Sequence, residues 1–204
     1  ARPPSAPSVV PKEVGVGSPI KHVIYIIKEN RTYDQVLGDL AQGNGDPSLT
    51  IYGRDVTPNQ HALAEEFVLL DNFHCSGVLS ADGHAWATEA YATDYLERHL
   101  AAFVRSYPYD GGDPLAYSPR GFIWDAALAR GLTFRSYGEF VRGEIDPPTA
   151  TWTDVWDDFR AGTERVTFRA TANIGTLEGR VAPTYVGLLG AVPDVVRARE
   201  FFEE

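Results

Sequence analysis

A short run of β-branched and aromatic residues, followed at once by an acidic and an amide side chain, constrains the fold of this chain most. Residues 22–27 read His-Val-Ile-Tyr-Ile-Ile, and Glu29 and Asn30 come shortly after them. The run is too short for a helix and lacks polar alternation, which is typical of a strand buried on both faces. It therefore predicts a central parallel strand with polar groups at its carboxyl end.

Helical patterns alternate with further apolar runs along the chain. The spacing of apolar residues predicts helices over 33–40, 61–66, 80–100, 119–131, 152–160 and 193–202, and further strands over 67–70 and 132–137. Such alternation favours an α/β fold, a parallel-sheet sandwich with helices on both faces. The proline-rich residues 1–19 predict a linker or tail, residues 20–204 one domain, and residues 107–121 a surface loop.

Composition narrows the classes of protein that fit. Of 204 residues, 44% are hydrophobic, enough for a real core, and 28 acidic against 18 basic side chains give a formal net charge of −10. A surface of that sign repels nucleic-acid phosphates and anionic membranes. No apolar stretch approaches the roughly 18 residues of a membrane-spanning helix. The chain therefore fits a globular domain that binds no nucleic acid and has no transmembrane segment.

Glu29 and Asn30 are candidate metal ligands. In open parallel sheets, ligands bind beyond the carboxyl ends of the strands, and carboxylate and amide oxygens suit a hard divalent cation. A structural alternative is that Asn30 or Thr32 caps the following helix and Glu29 complements its dipole.

Ser80 is a candidate nucleophile because it opens a long helical pattern. At a helix N-terminus its hydroxyl lies beside partial positive charge, which favours the alkoxide and stabilises a transferred phosphoryl group. The alternative is a plain helix cap, with Asp82 compensating the dipole. His84 follows one turn later on the same face, where it could contact a phosphate oxygen or fill a polar niche beside Trp86.

Other residues that often form functional sites do not predict one in this sequence. His74 and Cys75 lack the further ligands of a zinc site, so the single cysteine is expected to be a buried thiol. Asp157 and Asp158 are expected on a solvated helix face. The Gly-rich phosphate loop of nucleotide-binding proteins and the Gly-X-Ser-X-Gly elbow of α/β hydrolases are both missing from the sequence.

Four segments together resemble a known family. They are 21–34 with its Glu-Asn-Arg mark, 57–64, 70–73 and 80–84. They look like the phosphoesterase family of the alkaline phosphatase superfamily, which includes non-specific phospholipases C and an acid phosphatase. The similarity covers about residues 20–140, the N-terminal part of such a domain, and implies an alkaline-phosphatase-like sandwich.

The resemblance also implies a chemistry. It makes Ser80 the catalytic nucleophile and assigns Glu29, Asn30 and Ser80 to a divalent metal, which could be zinc, manganese, calcium or magnesium. His84 and Asn59 are expected to bind the substrate, a small-molecule or lipid phosphate ester. Secretion or a periplasmic location is expected by family habit.

The resemblance is incomplete in the second half of the chain. The superfamily takes further Asp and His metal ligands from that half, yet no histidine follows His99. We therefore expect that this chain lacks the C-terminal half of the site. Two alternatives stay open: a non-catalytic phosphoesterase-like binding module, and a serine hydrolase acting on carboxyl esters, in which Ser80 would need His and Asp partners.

Overall fold

The computed structural model describes residues 9–13, 15–98 and 113–204, which belong to two compact units, Ala1–Phe73 and His74–Glu204. The fold mixes helices and strands. Among the described residues, no helix combines the length and apolar character needed to cross a membrane. The predicted helical residues 99–100 and the loop residues 107–112 lie outside this description.

The described residues of the N-terminal unit form two α-helices, α1 (Tyr33–Leu37) and α2 (Pro58–Glu66), and a 3-10 turn at Pro47–Leu49. Thr32 caps α1, because its hydroxyl accepts a hydrogen bond from the Gln35 amide while the Gln35 side chain accepts one from the Thr32 amide. Both helices were predicted from the sequence, the first longer and the second shorter than observed.

The predicted central strand over 22–27 is wrong. These residues lie outside any strand and are exposed, Val23 to 83% and Ile26 to 76%. The predicted strand over 67–70 is likewise irregular, with Val68 75% exposed. A strand buried on both faces needs hydrogen-bonding neighbours on both edges. Among the described residues, no strand forms over or beside the 22–27 segment.

The C-terminal unit carries the strands, β1 (Val141–Asp146) and β2 (Thr167–Ala172), which pair antiparallel with Val141 opposite Ala172 and Asp146 opposite Thr167. The structure therefore describes no parallel-sheet sandwich. Of the predicted strand over 132–137, only a parallel bridge between Ser136 and Val181 is formed.

Five α-helices accompany this sheet among the described residues: α3 (Ser80–Glu89), α4 (Asp94–Arg98), α5 (Ile123–Leu128), α6 (Trp152–Ala161) and α7 (Asp194–Glu203). The long helix predicted from Ser80 is divided, because Ala90 adopts a left-handed conformation with φ 54° and ends α3. The 3-10 turns Pro114–Ala116 and Gly175–Leu177 complete the unit. The predicted helices over 152–160 and 193–202 are confirmed as α6 and α7.

In the part of the C-terminal unit that the structure describes, buried residues form three apolar clusters. One joins α6, the sheet and α7 through Val155, Ala170 and Val196. A second packs α3 against α4 through Ala85 and Leu96. The third is aromatic and contains Phe122, Trp124, Phe140 and Leu177, with the rings of Phe122 and Trp124 stacked 4.3 Å apart.

The segment 187–192 is closed by one side chain from α7. The Arg197 guanidinium donates hydrogen bonds to the carbonyls of Gly187, Leu189 and Val192, each 2.7 Å long. Charge-assisted hydrogen bonds of this kind are stronger than neutral ones. Arg197 therefore fixes a loop that has little other secondary structure.

Candidate functional site

Glu29 and Asn30 lie in a tight turn just before α1. Asn30 has φ 66°, in the left-handed region that side-chain-bearing residues rarely adopt, and its amide donates to Glu29 Oε1 at 3.1 Å. The turn is held from the next residue, because Arg31 donates to the Asn30 carbonyl and lies over the ring of Tyr52. The predicted pair is thus held together at an exposed, specifically shaped turn.

The structure confirms the capping alternative for Thr32, which forms the capping box of α1, and not for Asn30. The acidic residue in the first turn of the helix is Asp34. Carboxylate and amide oxygens are the donors that a hard divalent cation prefers, and the chemistry of this pair fits such an ion.

Ser80 is the first residue of α3, and its side chain is exposed. Leu79 occupies the cap position, and among the described residues no hydrogen bond engages the Ser80 hydroxyl. Asp82 fixes this helix start instead: its carboxylate accepts from the amides of Val78 at 2.8 Å and Leu79 at 3.1 Å. Ser80 is therefore not the cap, and Asp82 has a structural role.

His84 lies one turn along α3 and is held by a carboxylate. Its Nδ1 lies 2.9 Å from Glu139 Oε1, and the side chains of the pair are only 11% and 19% exposed. On an α-helix, residues four apart lie on the same face. A partly buried, carboxylate-bonded imidazole thus shares a helix face with the exposed Ser80 hydroxyl.

Glu139 was missed in the sequence analysis. It follows Tyr137 and Gly138 directly after the predicted strand over 132–137. A carboxylate just beyond the carboxyl end of an apolar run is the same signal that pointed to Glu29, and it could have found Glu139.

Glu89, at the other end of α3, is the described carboxyl group whose pKa departs furthest upward. Burial raises its pKa to about 7, with repulsion from Asp125 adding to burial and the Ser118 amide hydrogen bond opposing it. Its Oε1 is buried without a hydrogen-bond partner. At 1.5 Å rise per residue, Ser80 and Glu89 are about 13 Å apart along the helix axis. Glu89 therefore does not belong to the Ser80 site.

The remaining predicted residues occupy the N-terminal unit. Asn59 is exposed in the first turn of α2. Asp71, whose role the sequence left open, accepts a hydrogen bond from the Asn44 amide at 2.9 Å. His61 is fully buried, with Nε2 2.7 Å from Asp39 Oδ1.

Two expectations about acidic and thiol groups need correction or refinement. Cys75 is exposed rather than buried, because the segment that carries it is irregular; its thiol lies 3.5 Å from the Gly77 carbonyl. Asp157 is solvated as expected. Asp158 instead closes the turn after α6, since its carboxylate accepts from the amides of Arg165 at 3.0 Å and Val166 at 3.2 Å.

The structure thus assembles the predicted residues as two local groups, one in each unit. Glu29 contacts Asn30 in the N-terminal unit, and Ser80 and His84 share a helix in the C-terminal unit. In the part of the chain that the structure describes, no three His, Cys, Asp or Glu side chains form a group that could hold a metal ion. No family model, curated protein or solved structure matches this chain.

Proposed function

We propose that this protein hydrolyses phosphate esters, as a phosphomonoesterase or a phospholipase C-like phosphodiesterase, through a phosphoseryl intermediate at Ser80. The observation that carries the proposal is the C-terminal group: an exposed hydroxyl at the first residue of a ten-residue helix, with His84 one turn further on. The resemblance of segments 21–34 and 80–84 to the phosphoesterase family supports the same chemistry.

The proposed reaction has two balanced displacements. In the first, Ser80 Oγ forms a bond to phosphorus, the bond from phosphorus to the leaving alcohol breaks, and the serine proton is lost as the alcohol takes one up. In the second, water attacks phosphorus and the phosphorus–Oγ bond breaks, which returns the hydroxyl and releases inorganic phosphate or a phosphomonoester. The unpaired amides at the start of α3 favour the negative charge that develops at this end of the helix.

A divalent cation is part of the proposal. The family resemblance assigns Glu29, Asn30 and Ser80 to it, and all three offer oxygen, which suits zinc, manganese, calcium or magnesium. When bound, such an ion lowers the pKa of a coordinated hydroxyl and offsets charge on the phosphoryl group. Without the ion, Ser80 would keep the weak nucleophilicity of an ordinary hydroxyl.

The proposed substrate is a small-molecule or lipid phosphate ester. His84 would contact a phosphoryl oxygen. The family resemblance also assigns Asn59, which is exposed in the first turn of α2, to substrate binding. The net charge of −10 disfavours a nucleic-acid polyanion.

The proposed fold context is the alkaline-phosphatase-like parallel sandwich. The parallel bridge between Ser136 and Val181 supports it, and the β-branched run over 22–27 has the composition of a sheet's interior strand.

The test is turnover of a generic aryl phosphate and an aryl phosphodiester by the purified chain, with each of the four cations in turn. Because this chain is expected to lack the C-terminal half of the site, we expect only slow release of the aryl alcohol, and only with added cation. We also expect a phosphoserine at residue 80 by mass spectrometry after acid quenching, and loss of both in Ser80→Ala. Ser18→Ala, in the proline-rich start, is the matched control.

Two results would contradict the proposal. Full turnover in Ser80→Ala would remove the nucleophile, and an absence of turnover with every cation would reject hydrolysis by this chain. In the latter case, calorimetric titration with the cations and with inorganic phosphate identifies the binding-module alternative. Labelling of Ser80 by an organofluorophosphonate without phosphate-ester turnover would instead indicate a carboxyl-ester hydrolase.

A further inference from the structure

We infer that Glu139 is the positioning residue of this site: it holds the His84 ring in one tautomer and one orientation so that Nε2, not Nδ1, is the nitrogen that meets the phosphoryl group. The inference rests on the proposed function and deepens it. It starts from one juxtaposition, Glu139 Oε1 at 2.9 Å from His84 Nδ1, between residues 55 positions apart in the chain.

The chemistry of the two partners fixes the position of a proton. An ionised carboxylate has no proton to donate, so the ring nitrogen that faces it must be the donor. Nδ1 of His84 therefore carries a proton whether the ring is neutral or charged. A ligand would then form its hydrogen bond with the second nitrogen, Nε2, which is an acceptor in the neutral ring and a donor in the cation.

The loop around Glu139 is built to hold this carboxylate in place. Ser136 is bonded through its backbone to Arg180 and Ala182, and its hydroxyl donates to the Glu139 carbonyl at 3.1 Å. The residue after Glu139, Phe140, is only 2% exposed and is anchored in the aromatic cluster. Glu139 thus stands on a fixed backbone between a hydrogen-bonded turn and the core.

The backbone on both sides of Glu139 is in the left-handed region. Gly138 has φ 95°, and Phe140, a bulky residue, has φ 49°. For a residue other than glycine this conformation costs about 1–2 kcal/mol. Strained residues of this kind persist where the surrounding structure over-determines them, and they concentrate at functional sites. The strained backbone at Phe140 thus belongs to the turn that places Glu139.

A purely structural role explains the pair less well. Both side chains are mostly withdrawn from water, and the desolvation of such a pair commonly cancels its electrostatic gain, so an apolar pair would stabilise the fold as well or better. A carboxylate that orients a histidine is instead the arrangement by which ligand-binding and catalytic imidazoles are kept in one tautomer. Because His84 lies one turn from Ser80, a fixed ring orientation would direct Nε2 toward the phosphoryl group proposed to bind at Ser80.

The test uses the whole chain and combines ring NMR with kinetics. Long-range ¹H–¹⁵N spectra of the His84 ring, assigned with His84→Gln, should show a proton on Nδ1 in the unmodified chain. In Glu139→Ala this fixed state should be lost, and kcat/KM for the aryl phosphate should fall about 10–100-fold, the usual effect of removing such a partner. Glu139→Gln keeps an acceptor oxygen and should retain the Nδ1 proton and most of the turnover.

The control is Glu164→Ala, since Glu164 is an exposed carboxylate of the same unit. It should leave the ring spectrum and turnover unchanged. An unprotonated Nδ1 in the unmodified chain overturns the inference without any variant, even if Glu139→Ala does not fold. Unchanged spectra and turnover in a folded Glu139→Ala also overturn it.

The outcome separates this inference from the proposed function. If the unmodified chain shows no aryl phosphate turnover, the hydrolase proposal fails, while the ring spectra still report whether Glu139 holds the tautomer. If the chain turns over and Glu139→Ala matches it, only the positioning role fails.

Discussion

His61 sits between two hydrogen-bond acceptors and is fully buried. Its Nε2 lies 2.7 Å from Asp39 Oδ1, and its Nδ1 lies 2.8 Å from the Thr57 carbonyl. A carboxylate and a carbonyl can only accept, so a ring protonated on both nitrogens satisfies both acceptors; the Thr57 hydroxyl also lies 3.1 Å from Nδ1. Burial lowers the pKa of His61, but the hydrogen bonds to Asp39 and Thr57 outweigh it, and the pKa is raised above its ordinary value of 6.5.

This geometry predicts a pH-dependent stability. A histidine whose pKa is higher in the folded state adds stability that is fully present below about pH 6.5 and lost as pH rises through the higher folded value. The pKa of Asp39 is lowered, chiefly by its hydrogen bond to His61, so its contribution is lost only in acid, below its ordinary value of 3.8. We therefore expect the free energy of unfolding to fall as pH rises above about 6.5.

Urea unfolding at pH values across that range measures the effect. His61→Gln should remove most of the slope above pH 7 and cost about 1–3 kcal/mol at pH 6, because a buried partner is left unsatisfied. His22→Gln, which replaces an exposed histidine, is the control and should keep the slope of the unmodified chain. Glu89 gives a slope of the same sign only up to its pKa of about 7, so a slope above pH 7 that survives in His61→Gln would contradict the raised pKa of His61.

At the scale of elements, the ends of two helices in the C-terminal unit form a matched pair. Both α3 and α5 end at an alanine cap, but Ala90 is left-handed with φ 54° and Ala129 is right-handed with φ −61°. Glycine relieves the strain only in the left-handed region, and elsewhere it adds conformational freedom to the unfolded chain.

We therefore expect opposite effects from two identical substitutions. Ala90→Gly should raise the free energy of unfolding by about 0.5–1 kcal/mol, and Ala129→Gly should lower it by a similar amount. Thermal and urea denaturation of the two variants measure the difference. Equal effects of the same sign would show that the backbone at residue 90 is not strained.

Helices with strong local signals could be predicted from the sequence. For α6, Thr151 and Asp154 form a capping box at its start, Gly162 ends it with φ 63°, and the apolar residues between them share one face. Strand pairing depends on residues far apart in the chain, and β1 contains Gly143 and charged residues that resemble a loop. The same non-locality explains why the 22–27 run was wrongly predicted as a buried strand.

The candidate site likewise contains relations that are local in the sequence and one contact that is not. Ser80 and His84 could be found because four-residue spacing on a helix is a local relation. The turn at Asn30 is also local, although the residue types do not predict its left-handed backbone. Glu139 could not be placed beside His84, since 55 residues separate them and only the folded turn after Ser136 brings them together.

At the scale of the whole molecule, the exposed 22–27 run is a surface with high β propensity and little charge. Ile24 and Ile26 are 72% and 76% exposed. Exposed segments of this composition are templates for pairing with another chain. The chain is therefore expected to self-associate through this run as its concentration rises.

The double variant Ile24→Lys, Ile26→Lys should shift that association to higher protein concentration, because like charges oppose pairing. Sedimentation velocity over a concentration series measures it. Val9→Lys, Val10→Lys changes two residues that are also exposed, to 59% and 61%, but lie outside the run, and it should have a smaller effect. Equal shifts from both pairs would indicate a general effect of charge rather than pairing through residues 22–27.

The three hydrogen bonds from Arg197 to backbone carbonyls limit where this chain can be truncated. The conformation of the loop over 187–192 depends on the Arg197 guanidinium, which comes later in the chain. A fragment cut inside α7 before Arg197 would leave those oxygens without their donor and release Val186 and Val192 from the apolar cluster they join. Sensible deletion boundaries therefore fall ahead of residue 186 or after the helix, and the stretch between them is best kept or discarded as one piece.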